Sequence, residues 1–219
     1  MSEGNPPKKI ALEDRGTDGA RLFSPSAARN RDVIREVFLQ HMPAQGAILE
    51  IGAGTGEHAA HIAGALPGVV WTPSDPDAAS RASIAAWADH LGLSNIASPR
   101  AINVAAKDWE AGAPQRLAGL VSINMIHIAP FAATEGLIRG AGALLAPGGK
   151  LFLYGPFARE GAHSAPSNAA FDESLKARNP DWGVRDLDRD ILPLAEKAGL
   201  TLETVVQMPA NNLSVIFRR

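Results

Sequence analysis

Short apolar runs alternate with stretches of helical periodicity along most of this chain. Ala47–Ile51, Val69–Thr72, Gly119–Asn124 and Lys150–Tyr154 read as strands, with a weaker one near Arg100–Val104. Runs of this kind are what parallel strands covered on both faces look like. Between them lie helical segments. The first starts at Ser24 or Ser26 as N-cap, presents Val33, Ile34, Val37 and Phe38 on one face, and stops before Pro43. Others run from Gly56 to near Leu66, from about Asp77 to Leu91, from about Ala132 to Leu145, and from about Asp188 to Ala198. Pro147-Gly148-Gly149 reads as a turn. The chain closes with Thr201–Gln207 and Leu213–Arg218, joined by Met208-Pro209-Ala210-Asn211-Asn212. That connector is too short for a parallel return, so the last two strands must be antiparallel. The expected architecture is α/β: a Rossmann-like three-layer sandwich with a seven-stranded, mostly parallel sheet and a C-terminal antiparallel strand pair.

Residues 1–22 are polar, with Pro, Gly and mixed charge, and are expected to form a flexible N-terminal segment. Residues 23–219 form a single domain in this reading. Residues 156–187 stand out within it as an insertion dense in Ser, Asn, Asp, Arg and Trp, emerging where a lid over a pocket would sit. A hydrophobic content of 46% and a charged content of 20% over 219 residues fit an ordinary globular chain. A net charge of −2 argues against a nonspecific grip on nucleic acid. Cysteine is absent, which excludes disulfides, thiolate metal sites and cysteine nucleophiles. No apolar run reaches membrane-spanning length, and Met1–Lys9 lacks the apolar core of a signal peptide, so the expected location is cytoplasmic.

The richest chemistry lies in Glu50-Ile51-Gly52-Ala53-Gly54-Thr55-Gly56, a strand end running through alternate glycines into a helix. Such a loop brings backbone close to a ligand. A dinucleotide fingerprint, G-x-G-x-x-G, would need glycine where Glu57 stands, and a carboxylate in the first helical turn repels a pyrophosphate. The pattern is E-x-G-x-G-x-G instead. It resembles motif I of the class I S-adenosylmethionine-dependent methyltransferases, whose cofactor carries an ammonium and a sulfonium that negative charge suits. This makes Glu50, Gly52, Ala53, Gly54 and Gly56 candidate cofactor residues.

In doubly wound sheets ligands bind at the carboxyl ends of strands, where strand order reverses. Asp75 follows the second strand roughly 20 residues past the loop, where an acidic residue meets ribose hydroxyls. Asp77 reads instead as the cap of the next helix. After the third strand, Asn103 and Val104 are candidates for the adenine edge and face. Trp109 fits either the adenine or the core. After the fourth strand, Asn124 is a candidate for the cofactor's amino group, and His127 for a general base or a substrate contact. Tyr154, ending the fifth strand, could orient a nucleophile or simply pack. Arg29 and Asn30 could close the cofactor's carboxylate end, reach the substrate, or lock structure. Arg185 and Asp186 could bind an acceptor or pair with each other. His58 and His61 lie three apart on one helix, but no third ligand accompanies them, so no metal is expected.

Beyond motif I, ordered blocks from about Arg21 onward are similar to the methyltransferase-like twenty-six family. They include Ser24-Pro25, Ala28-Arg29-Asn30, Trp71-Thr72-Pro73-Ser74-Asp75, Asn124-Met125-Ile126-His127-Ile128-Ala129-Pro130, Leu153-Tyr154-Gly155-Pro156-Phe157, Trp182-Gly183-Val184-Arg185-Asp186 and Met208-Pro209-Ala210-Asn211-Asn212-Leu213. The chain departs from that family's pattern at Asn103, where the pattern has Asp. The resemblance implies a methyltransferase domain using S-adenosylmethionine and leaves the acceptor open. In-line methyl transfer asks mainly for positioning and desolvation, which suits a chain without an obvious nucleophile or triad. A small-molecule acceptor is expected, with no nucleic acid and no membrane as partner, in a monomer or homodimer. No Asn-Pro-Pro-Tyr or Asp-Pro-Pro-Tyr motif follows the fourth strand. The alternatives are a non-catalytic S-adenosylmethionine-binding or scaffold protein and, disfavoured by Glu57, an NAD-dependent dehydrogenase.

Overall fold

The computed structural model describes residues 14–219. The chain there opens with a hairpin of β1 (Gly16–Asp18) and β2 (Arg21–Phe23). Ser24 then caps α1 (Pro25–His41): it is extended, its hydroxyl accepts the Ala27 N–H at 3.4 Å, and Pro25 supplies a preset φ at the helix start. β3 (Gly46–Ile51) runs through the glycine loop into α2 (Glu57–Ala63). β4 (Val69–Ser74) leads to α3 (Ala78–Leu91), capped by Asp77, whose Oδ2 accepts the Ser80 N–H at 2.7 Å. That is the role expected of Asp77. β5 (Leu117–Ile123), α4 (Phe131–Leu144) and β6 (Leu145–Gly155) follow. The insertion consists of β7 (Phe157–Arg159), β8 (Ala162–His163), α5 (Pro166–Arg178) and β9 (Arg185–Asp186). A π-helical turn at Leu187–Ile191 passes into α6 (Leu192–Lys197), and β10 (Thr201–Met208) and β11 (Asn212–Arg218) end the chain.

The main sheet has the order β10-β11-β6-β5-β3-β4. β4, β3, β5 and β6 are mutually parallel, while β11 is antiparallel to both β6 and β10. Side chains alternate between two cores. Leu49, Leu120, Leu151, Leu153, Val215 and Phe217 face α4 and α6, whereas Ile48, Val121, Phe152 and Ile216 face α1 and α2. The chain goes from β3 outward to β4, then crosses back to β5 on the other side of β3. The crevice between the carboxyl ends of β3 and β5 is therefore the switch point of the sheet.

The sheet is six-stranded and mixed, so the expected seven-stranded, mostly parallel sheet is corrected. The missing member is the strand read at Arg100–Val104. That stretch of chain does come alongside β4, through two isolated bridges, Trp71 with Ile96 and Ser74 with Arg100. Between them the ladder breaks. The Trp71 N–H reaches the Asn95 carbonyl and the Ala97 N–H reaches that of Trp71, both at 2.8 Å. The next donors in a parallel register would be Pro73 and Pro99, which have no N–H. Pairing resumes out of step, with Arg100 N–H on the Pro73 carbonyl at 3.0 Å. The turn read at Pro147-Gly148-Gly149 lies inside β6 as a bulge, where the pairing steps from Leu117 with Leu145 to Gly119 with Lys150.

The segment expected to be flexible falls partly among the described residues. Residues 16–23 form the β1–β2 hairpin and dock on α3. The Leu22 N–H donates to Ser83 Oγ at 2.7 Å, Trp87 Nε1 donates to the Leu22 carbonyl at 3.0 Å, and Phe23 meets the Trp87 ring edge-on at 5.0 Å. Residues 1–13 lie outside the described residues. On the opposite face, Val104 and Trp109 pack on α4, where a Cβ at Gly136 would overlap the Val104 carbonyl. Gly136→Ala is therefore expected to cost about 2 kcal/mol through overpacking against backbone. Urea denaturation checks this, and an unchanged midpoint would show that this packing does not constrain the fold.

Candidate active site

The glycine loop between β3 and α2 is fixed by two different constraints. Gly52, Gly54 and Gly56 all have positive φ, at +71°, +58° and +85°. A Cβ at Gly52 would come within 2.6 Å of Met125 Cγ, and one at Gly56 within 2.8 Å of the Ile84 Cα. These two glycines thus let protein approach protein. Only Gly54 has open space, with an Arg15 nitrogen 3.7 Å from its would-be Cβ. The loop is held from behind by the end of β4. The Ala53 N–H donates to the Ser74 carbonyl at 2.9 Å, and the Gly54 N–H to Asp75 Oδ2 at 2.9 Å. The other Asp75 oxygen accepts the Asp77 N–H at 2.9 Å. Burial raises the Asp75 pKa above its usual range, against these hydrogen bonds, which lower it.

Two further carboxylates serve the same support. Glu57 Oε2 accepts the Ser24 N–H at 2.6 Å and the Thr55 hydroxyl at 3.0 Å, tying the start of α1 to the loop. Glu50 is buried beneath the loop, where Trp71 Nε1 donates to its Oε2 at 2.9 Å. Burial pushes its pKa up to about 7, with the Trp71 bond pulling down and the Asp75 charge pushing up.

In front of the loop lies a cavity of about 790 Å³ at the switch point. Of the residues expected at a site, Gly52, Ala53, Gly54, Asn124, His127, Tyr154, Arg29 and Asn30 all line it. Glu50, Gly56 and Asp75 are not among the lining residues; they hold the loop through the contacts just described, and Asp75 keeps 8% exposure at its edge. Asn103 and Val104 are not brought to it. Asn103 turns the chain by accepting the Ala105 N–H on its own Oδ1 at 3.0 Å, and Val104 is buried against α4, as is Trp109, whose Nε1 donates to the Gly136 carbonyl at 3.1 Å. With no strand at 100–104, nothing aims these residues at the crevice.

Asn124 takes a left-handed conformation, φ +55°, and its N–H donates to the Tyr154 carbonyl at 2.9 Å, joining the ends of β5 and β6. His127 is 2% exposed, lies edge-on to Phe171 at 5.6 Å, and has a buried Nδ1 without a hydrogen-bond partner. That nitrogen and Asn124 Oδ1 both face Gly155, where a Cβ would lie 3.3 Å and 3.7 Å from them. Burial, with the nearby Arg185 charge, pushes the His127 pKa down to about 3. The imidazole is neutral at ordinary pH and a weak base, so the structure presents it as a hydrogen-bonding group. The Tyr154 hydroxyl accepts the Asn212 amide at 3.2 Å and lies near Asn30, whose Oδ1 pairs with His58 Nε2 at 2.9 Å. Burial raises the Tyr154 pKa, which keeps the phenol protonated.

The insertion supplies the far wall. Ser167, Phe171, Ser174 and Arg178 form one stripe of α5 along the cavity, at spacings of four, three and four residues. As sequence, this stretch reads only as an insertion, which misses both the helix and its stripe; the four–three–four spacing is the signal that could have found them. α5 is stapled to the turn before β11: Asn168 Nδ2 donates to the Asn211 carbonyl at 2.9 Å, and Asn211 Nδ2 to Ser167 Oγ at 3.1 Å. Ala210 and Asn211 in that turn both have φ +58°. Arg185 and Asp186 do not pair with each other. Arg185 clasps the Ile126 and Ala129 carbonyls at 3.1 Å and 2.6 Å, and Asp186 accepts the Gly161, Asp188 and Arg189 N–H groups. His61 pairs with Asp32 at 2.7 Å, away from His58. Among the described residues, no group of three His, Asp or Glu could hold a metal, and no helix is long and apolar enough to cross a membrane.

Solved methyltransferases share this mixed α/β fold with the chain. An O-methyltransferase family protein from Burkholderia thailandensis superposes with a TM-score of 0.74 at 15% identity, over 89% of this chain and 56% of that one. Human N-acetylserotonin methyltransferase, solved in complex with S-adenosylmethionine, gives a TM-score of 0.70 at 13% identity, over 89% and 52%. The chain thus spans just over half the length of these proteins. By sequence, residues 21–219 match the family described as a protein of unknown function, DUF938, and the chain belongs to that family.

The buried Glu50 carries a pH signature. Its folded pKa, about 7, lies above the ordinary 4.5, so its contribution is fully present below pH 4.5 and lost as pH rises through 7. That gap corresponds to about 3 kcal/mol. His58 and His127 act oppositely. Their pKa values fall from 6.5 to about 4 and about 3, so their contributions hold above pH 6.5 and fade as pH falls through those values. Glu50→Gln keeps an acceptor for Trp71 and isolates the first effect. Urea unfolding at pH 5 and pH 8.5 should show the variant gaining about 2.5 kcal/mol on the wild type between them, and an equal difference at both pH values would overturn it.

Proposed function

We propose that this protein is an S-adenosylmethionine-dependent methyltransferase acting on a small-molecule acceptor by in-line methyl transfer. The observation that carries the reading is the switch-point cavity rooted in the E-x-G-x-G-x-G loop. Its volume, about 790 Å³, falls in the range of ligand sites and has room for a cofactor and a small partner. The ordered blocks that resemble the methyltransferase-like twenty-six family support the same reading, as do the methyltransferases that share the fold. A cytoplasmic location, and a monomer or homodimer, go with it.

The residues present fit such a cofactor. Gly54 offers backbone without a side chain at the cavity floor, and His127 Nδ1 and Asn124 Oδ1 flank the open space over Gly155. Each Asp75 oxygen retains a lone pair for ribose hydroxyls beyond the backbone bond it accepts. Arg29 suits the carboxylate end, and Asn124 the amino group. The cofactor supplies a methyl group activated by a sulfonium. The chain's share is then to align the acceptor, exclude water and hold the reacting pair in line. His127, kept neutral, and Tyr154, kept protonated, orient the acceptor by hydrogen bonds. Neither is a base poised at neutral pH.

Calorimetry with S-adenosylhomocysteine tests the cofactor, with NAD as the control. Binding of the first and not the second is expected, and a response to NAD alone would sink the reading. Asp75→Ala should weaken S-adenosylhomocysteine binding about tenfold or more, through the lost ribose acceptor and the loosened Gly54. Unchanged affinity would remove Asp75 from the ribose site. Turnover is tested with radiolabelled methyl donor and metabolite extracts, where binding without transfer would favour a scaffold role.

A further inference from the structure

Two three-residue strands do not hold a hairpin together in water, so the order of β1 and β2 comes from what they dock against. Their partners Ser80, Ser83 and Trp87 stand three and four residues apart, on one face of α3. Arg15 Nη1, just ahead of β1, donates to Ser80 Oγ at 3.2 Å. The Arg21 guanidinium lies 5.1 Å from the Trp87 ring centre, beside the Leu22 and Phe23 contacts already described.

The end of this hairpin is wired to the glycine loop. Ser83 Oγ, which accepts the Leu22 N–H, donates in turn to the Thr55 carbonyl at 2.7 Å. The Thr55 hydroxyl donates to Glu57, and Glu57 also accepts the Ser24 N–H. The carbonyl and the hydroxyl of Thr55 are thus each tied to residues 22–24 through one intervening side chain.

At its other end the hairpin carries Arg15 to the cavity. Arg15 Nη2 lies 3.7 Å from the point that a Cβ on Gly54 would occupy, and both Asp75 and Asp77 feel its charge. Arg15 and Asp75 therefore flank Gly54 with opposite chemistry. An ionised carboxylate only accepts hydrogen bonds and a guanidinium only donates them. The hydroxyls of a ribose do both, so each residue serves what the other cannot.

Resting on the methyltransferase reading, we propose that the β1–β2 hairpin is a strap over the adenosine half of the cofactor, that Arg15 donates to the ribose hydroxyls opposite Asp75, and that strap docking and cofactor binding strengthen each other. The coupling runs through Thr55, the residue between Gly54 and Gly56 on which both bridges from the strap end. A ligand that meets Arg15 only when the strap is docked shifts the strap toward that state. By linkage, docking raises the ligand's affinity by the same factor.

The test uses the full chain, with calorimetry and hydrogen exchange read by mass spectrometry. Arg15→Ala should weaken S-adenosylhomocysteine binding about tenfold, Arg15→Lys should retain part of it, and adenosine, which lacks the amino-acid half, should lose the same factor. Saturating S-adenosylhomocysteine should slow exchange at residues 16–23 by about tenfold in the wild type and much less in Arg15→Ala. Phe23→Ala, outside the cavity lining, should speed that exchange and weaken binding, and the double variant should lose little beyond the weaker of the two single variants. The proposal is overturned if Arg15→Ala leaves affinity unchanged or raises it, or if the ligand leaves exchange at residues 16–23 as it was. It is overturned too if the Arg15 and Phe23 losses simply add. Failure of S-adenosylhomocysteine to bind the wild type sinks the methyltransferase reading and the strap with it, whereas binding that ignores Arg15 sinks the strap alone.

Discussion

The site depends on carboxylates bonded to the protein's own backbone and side chains. Asp75 holds Gly54 and the start of α3, Glu57 holds Ser24 and Thr55, and Glu50 holds the Trp71 indole from below. A loop with three left-handed residues has no repetitive hydrogen bonding of its own, so these side chains provide what a helix or ladder would. They fix the curvature of the loop before any ligand arrives. Desolvating three acidic groups is costly, and the raised pKa values of Glu50 and Asp75 are the visible sign of that cost.

The same arrangement sorts charge across the loop. Among the described residues, the acidic groups bonded to the loop do not line the cavity, while Arg15, Arg29 and Arg178 do. The apolar core on the α1–α2 face closes off the rear, and α5 closes the front through its asparagine staples to the turn before β11. Positioning groups are in turn supported by others: Asn212 holds Tyr154, and His58 holds Asn30. Arg185, by gripping the carbonyls at 126 and 129, fixes the turn that presents His127.

Much of this was legible from the chain alone, for identifiable reasons. Long apolar runs and helix caps marked the parallel strands, the main helices and the terminal antiparallel pair, because burial on both faces leaves a strong signature. The seventh strand failed because periodicity does not register a missing N–H, and Pro73 and Pro99 each remove one where the ladder needs it. The β1–β2 hairpin failed because three-residue strands carry too little pattern to rise above a polar background. At the site, residues on tight strand ends, such as Asn124, His127 and Tyr154, were found because topology delivers strand ends to the crevice. Glu50 and Asp75 were placed near the loop correctly, but which way a side chain turns is decided by partners far along the chain, Trp71 and Gly54 among them. Asn103 and Val104 depended on the strand that does not form.

The two prolines have an effect well beyond local pairing. An outermost parallel strand normally presents a row of open donors and acceptors, a template on which another chain can lay down a strand. Along β4 the Trp71 and Pro73 carbonyls are taken by residues 97 and 100 of the same chain, and the donor that Pro73 would have supplied does not exist. What looks like an incomplete seventh strand therefore closes that border of the sheet. Continuous edge-to-edge growth into a second molecule is blocked there by the chain's own covalent structure.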